Sequence, residues 1–208
     1  MTEPLHTVWA VITLFAVIAA LWLFWRKYRF NPLKDPRYQK HIDDPAVQYE
    51  LGRFYTEGKR VPKNEKEAFA WFSKAAAQNY VPAKIALAGL YNQGKGCEKN
   101  PARVFSLYQE AAQTGNFEAR INLAVCYLQG IGTEKDERKG FCLLKQAAED
   151  KSPLAQTLTG DLYERGIGTE KDERTALRYY LWAARKGEPL ARQKAEILEK
   201  KLSQKNAK

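Results

Sequence analysis

The side chains that could do chemistry are few. The chain holds two histidines, His6 and His41, and three cysteines, Cys97, Cys126 and Cys142. Two histidines so far apart supply neither a His-based metal site nor a Ser-His-Asp arrangement. The cysteines form no C-x-x-C pair. Cys126 and Cys142 flank Tyr127 and Leu143 and are expected to be small buried hydrophobes, with a bridge between the two as the alternative. Asp161 and Glu164 lie one helical turn apart, but an exposed polar edge is the simpler expectation than an acid/base pair. Gly94-Lys95-Gly96, Gly130-Ile131-Gly132 and Gly166-Ile167-Gly168 superficially look like phosphate loops. They follow helical patterns rather than strands and lack the G-K-[ST] ending, so they are expected to be helix breakers with solvated Lys135 and Lys171. No catalytic residue, metal, cofactor or small-molecule substrate is expected.

The elements carrying these residues repeat. Val47, Ala83, Ala119, Ala155 and Ala191 recur every 36 residues, and Tyr55, Tyr91, Tyr127 and Tyr163 keep the same step. So do Gly58, Gly94, Gly130 and Gly166, and GIGTEKDER occurs twice, from Gly130 and from Gly166. Such a register defines stacked units. Within one unit, Ala83, Leu87, Leu90 and Tyr91 form one stripe of a 3.6-residue helix, broken by the glycines after Gln93. Asn100 then stands at an N-cap with Pro101 at the first helical position, and Asn64, Asp136 and Asp172 share that register. Each unit is therefore a helical hairpin, ended by Gly115 or Gly187 and by Asn79 or Lys151 in the others. The fold class is all-α, a right-handed solenoid of four hairpins (47–82, 83–118, 119–154, 155–190) with a capping helix and polar tail over 191–208.

These residues resemble the Sel1-like repeat family, a relative of the tetratricopeptide repeat with a longer loop. The first unit supplies Leu51, Gly52, Tyr55, Gly58, Ala68, Trp71, Lys74, Ala75 and Ala76 of the family pattern. The fourth supplies Ala155, Gly160, Tyr163, Gly166, Gly168, Asp172, Ala176, Ala183, Ala184 and Gly187. Arg60 departs from the second loop glycine, and Gly140 from the second-helix alanine, at a helix cost of about 1 kcal/mol. The resemblance implies an adaptor or scaffold for protein partners and no enzyme activity.

Thr7 to Trp25 carries no charge over roughly 28 Å of helix, near the thickness of a bilayer core. Trp9, Trp22 and Trp25 would sit at the interfaces, and Arg26, Lys27 and Arg29 beside anionic headgroups. This predicts a transmembrane helix over 7–25 after a short polar tail (1–6), in a bacterial inner membrane with the N-terminus outside. The repeats would be cytoplasmic, with a periplasmic domain as the alternative. Residues 26–45 are expected to be a basic, extended, Pro-containing spacer. The net charge of +10 is concentrated at the ends and interleaved with acids between them, which argues against nucleic acid.

A partner is expected on the first helices, at Tyr49, Arg53 and Glu57 in the first unit, and Ile85, Asn92 and Gln93 in the second. Ile121 and Gln129 continue the surface, followed by Asp161, Glu164 and Arg165. Ile85 and Ile121 would add an apolar strip. A face of this mixture suits an extended peptide or a helix. Two further functions are set beside the adaptor: an accessory subunit acting through the membrane helix, and a periplasmic cell-wall or stress factor.

Overall fold

The computed structural model describes residues 4–28 and 31–206; within the first helix the described side chains are Trp9 and those of residues 12–23. Among the described residues every regular element is helical. Helix α1 spans Pro4–Tyr28, and a 3-10 turn, Pro32–Lys34, leads to α2, Pro36–Gln39. The repeat helices are α3 (Pro45–Glu57), α4 (Glu65–Ala77), α5 (Val81–Gln93), α6 (Pro101–Gln113), α7 (Phe117–Gln129), α8 (Glu137–Glu149), α9 (Pro153–Arg165), α10 (Glu173–Ala184) and α11 (Pro189–Asn206).

Capping chemistry sets these boundaries. The second helices start where Asn64, Asn100, Asp136 and Asp172 accept hydrogen bonds from backbone N–H groups two or three residues on. Gly58, Gly130 and Gly166 end first helices in the left-handed conformation. Asn79 and Lys151 adopt it too, at φ 62° and 63°.

The spacer is not extended. Asn31, Asp35 and Asp44 each cap a helical turn that begins on the following proline, the cap itself holding the extended backbone that proline demands. Each Asx-Pro step therefore starts a helix. At the C-terminal side α11 runs from Pro189 through Asn206.

No helix among the described residues is long and apolar enough to cross a membrane. This overturns the expected single-pass inner-membrane anchor, and with it the cytoplasmic or periplasmic placement of the repeats derived from that anchor. Trp9 and Trp22 are exposed, while Trp25, Arg26, Lys27 and Arg29 lie outside the described side chains.

The chain divides into two compact units, Met1–Ala83 with Lys95–Cys97, and Lys84–Gly94 with Glu98–Lys208. In the first, α3 packs on α4 through Leu51, Ala68, Trp71, Phe72 and Ala75, all buried. In the second, each helix from α6 to α11 packs on the next, as in a helical solenoid. Its core joins Ile121, Ala124, Phe141, Leu144, Ala147, Ala155, Leu162 and Tyr179. A second cluster, Ala176, Tyr180, Ala195 and Leu198, seals α10 against α11. The recurring small position is fully enclosed at Ala83, Ala119, Ala155 and Ala191, where helix backbones approach closely.

The second loop glycine locks consecutive repeats. A Cβ on Gly132 would lie 2.0 Å from the carbonyl oxygen of Pro101, and one on Gly168 2.1 Å from that of Glu137. Gly96 meets Glu65 in the same way, and all three hold φ near +70°. Arg60 stands in this register in the first unit. At the other end, Leu202 stands in the register of Gly130 and Gly166. The helix runs on there, and Lys201 and Lys205 bind Glu173 at 2.8 and 3.2 Å.

The cysteines are free. Cys126 is buried as expected, and burial pushes its thiol up to about 11. Cys142 is instead exposed, because it faces away from the neighbours that enclose Phe141 and Leu144.

Candidate functional site: a groove between α7 and α9

A cavity of about 420 Å³ opens within the second unit. Its floor is apolar. Val125 and Leu128 come from α7, Leu158 and Leu162 from α9, Leu144 from α8, and Ile167 from the loop beyond α9. Leu128, Leu158 and Ile167 pack on the core beneath and remain half-buried. Its rim is polar: Gln129, Lys135, Glu137, Asp161 and Arg165.

Local sequence explains why the groove forms here. In the register of Leu128 and Leu158, one repeat earlier, stand Asn92 and Asn122. Gly140 makes room for Leu128. A Cβ at that position would come within 2.6 Å of the Leu128 Cγ and 3.0 Å of the Ala124 carbonyl oxygen. The helix-weakening glycine of the third unit is thus the contact that seats the groove's leucine.

The rim charges differ in how they are satisfied. Lys135 pairs with Glu137 at 2.7 Å. Asp161 Oδ1 accepts from Lys194 Nζ at 2.7 Å and from the Tyr180 hydroxyl at 2.6 Å. That hydroxyl also reaches Glu164 Oε2 at 2.7 Å. Burial first, then these two carboxylates, raise the Tyr180 phenol far above its ordinary range. Asp161 and Glu164 are therefore not an exposed polar edge: they hold a fully buried tyrosine, and with Lys194 tie α9, α10 and α11 together. Among the described residues nothing pairs with Arg165 or Gln129.

Of the residues expected on the partner surface, the groove brings together Gln129, Asp161 and Arg165. Glu164 is directed at Tyr180 instead. Ile121 is 5% exposed and belongs to the core cluster, so it offers no apolar strip. Ile85 is half-buried, and Asn92 and Gln93 are exposed. In the first unit, Tyr49 packs on the Phe72 and Tyr80 rings at 5.5 and 5.6 Å, and Arg53 and Glu57 pair with each other at 2.7 Å. Those three satisfy one another or the core. Sequence reading missed Leu158 and Val125, because a leucine or valine on a repeat helix looks like core. The Asn-to-Leu change between repeats was the available signal.

The glycine loops end first helices, as Gly58, Gly130 and Gly166 show by their left-handed backbone. The dish beside them is lined by Lys135, Asp136, Glu137 and Arg138 with Gly168, Thr169 and Glu170, and the α8 N-terminus is occupied by Asp136.

Residues 45–80, 81–116, 117–152 and 153–188 each match the Sel1 repeat. A Sel1 repeat protein from Oxalobacter formigenes is similar in structure, with 30% identity and a TM-score of 0.70, over 76% of this chain and 64% of that one. A protective antigen present in uropathogenic Escherichia coli strains, displaying an SLR fold, is similar with 30% identity and a TM-score of 0.71. That match covers 78% of this chain and 34% of the antigen, so the chain spans less than two thirds of either protein. No curated protein matches the chain.

Proposed function

The chain belongs to the Sel1 repeat family, and from that premise we propose that it is an adaptor that seats a segment of a protein partner in the groove between α7 and α9. Sel1 repeat proteins are protein-interaction scaffolds. The observation carrying the finer reading is the groove itself: an apolar floor that no described side chain covers, edged by Gln129 and Arg165, which have no partner among the described residues. A rigid concavity of this size, apolar below and polar at the rim, fits an inserted side chain with a backbone hydrogen-bonded along the edge. Bound there, a partner is held against a scaffold whose helices α9, α10 and α11 are tied by Asp161, Tyr180 and Lys194, and complex assembly follows from that rigid seat.

Site-specific photo-crosslinking tests this in the cell of origin with the full chain. A photoreactive residue in place of Gln129 is expected to trap a defined segment of a partner, and one in place of Lys145, exposed on α8, is not. Equal trapping at both positions, or none at Gln129, refutes the groove.

A further inference from the structure

Resting on that reading, we infer that the groove selects an acidic segment of its protein partner, one that inserts a large aliphatic side chain over Leu128 and Leu158 and sets a carboxylate against Arg165. The rim charges decide the sign. Glu137 is matched by Lys135 at 2.7 Å, and Asp161 by Lys194 at 2.7 Å. Neither carboxylate is left to call for a cation. Arg165 is exposed, stands one turn beyond Asp161, and is bonded to nothing among the described residues. Among the described residues the groove therefore presents one unmatched charge, and it is positive. A guanidinium is also the side chain best built to grip a carboxylate through two parallel hydrogen bonds.

The floor sets the other requirement. Leu128 and Leu158 are half-buried, with Leu144 and Leu162 beneath them. A branched aliphatic side chain regains dispersion contacts there that water cannot supply. In the register of the two upper leucines the preceding repeat carries Asn92 and Asn122. Those residues show what the same helices tolerate without an apolar floor.

The test uses the immobilised full chain and an oriented pool of heptapeptides. Leucine is fixed at the centre, and every other position is an equal mixture of the amino acids except cysteine. Retained peptides are expected to favour Asp and Glu over Lys and Arg beside the leucine by about fivefold at low salt, the scale of one well-placed ion pair. The preference should shrink in 0.5 M NaCl. The Arg165→Gln chain should still retain peptides but lose the acidic preference. Leu128→Asn with Leu158→Asn, checked for helicity by circular dichroism, should retain none. Retention without charge preference, or an acidic preference unchanged in Arg165→Gln, overturns the acidic partner and leaves the groove standing. Enrichment of Lys and Arg overturns it as well and makes Asp161 the recognition group. No retention by the unaltered chain overturns the groove reading from which this inference starts.

Discussion

Thr159 stands where Leu51, Leu87 and Leu123 stand in the other repeats. It is 0% exposed, and its hydroxyl has no hydrogen-bond partner among the described residues. Burying an unmet hydroxyl costs about 1–3 kcal/mol. Valine has nearly the same shape and replaces the hydroxyl by a methyl, so Thr159→Val removes that cost without enlarging the side chain. The chain should gain about 1–2 kcal/mol, which for a domain of this size corresponds to roughly 3–6 °C in Tm. Urea unfolding followed by circular dichroism and by tryptophan fluorescence should show a higher midpoint with an unchanged slope. A control sits on the same helix. Thr157 is as deeply buried, but its hydroxyl donates to the Pro153 carbonyl at 2.9 Å. Thr157→Val should therefore lose about 1 kcal/mol, the net value of one such bond. Thr159→Leu should gain less than valine, because the site is fully enclosed and extra methylenes strain a packed core by about 1–3 kcal/mol. The reasoning is refuted if Thr159→Val destabilises, or if both threonines respond alike.

The remaining predictions concern the groove, a carboxylate and a backbone. Gly140→Ala gains about 1 kcal/mol of helix propensity but drives a methyl into Leu128, so a net loss of about 1–2 kcal/mol is expected. Adding Leu128→Ala should recover at least 1 kcal/mol of it in a double-mutant cycle read by urea unfolding. Glu173, held by Lys201, Lys205 and Lys171, has its carboxyl pulled from 4.5 down to about 2. A lowered carboxyl stabilises the folded chain above its unfolded pKa, and that contribution is lost as pH falls from about 4.5 toward 2. Tm of the unaltered chain should therefore drop more across that window than Tm of Glu173→Gln. Lys151 holds φ at 63°, so Lys151→Gly should gain about 1 kcal/mol by relieving the left-handed backbone, seen as a raised thermal midpoint.

Much of this was legible in the residues. The 36-residue step, the Asx caps and the breaker glycines are local chemistry, and the helices obey them. Where a residue's role depends on its neighbour in space, the pattern was silent. Asn31-Pro32 and Asp35-Pro36 look the same in an extended spacer and at the start of a helical turn; only the bonds to Leu33 and Arg37 N–H groups distinguish them. Ile121 shares a register with the half-buried Tyr49 and Ile85, yet Phe141 and Leu144 close over it. Asp161 and Glu164 are set by Tyr180, sixteen or more residues away. Gly140 is a local weakness by helix propensity alone, and only its contact with Leu128 accounts for it.

Amide hydrogen exchange of the full chain, with and without the partner segment trapped at Gln129, tests the central claim most directly. Protection confined to residues 125–129 and 158–167 is the result predicted for a segment seated in the groove. Protection elsewhere with these amides unchanged, for example along the exposed side of α8, would contradict it.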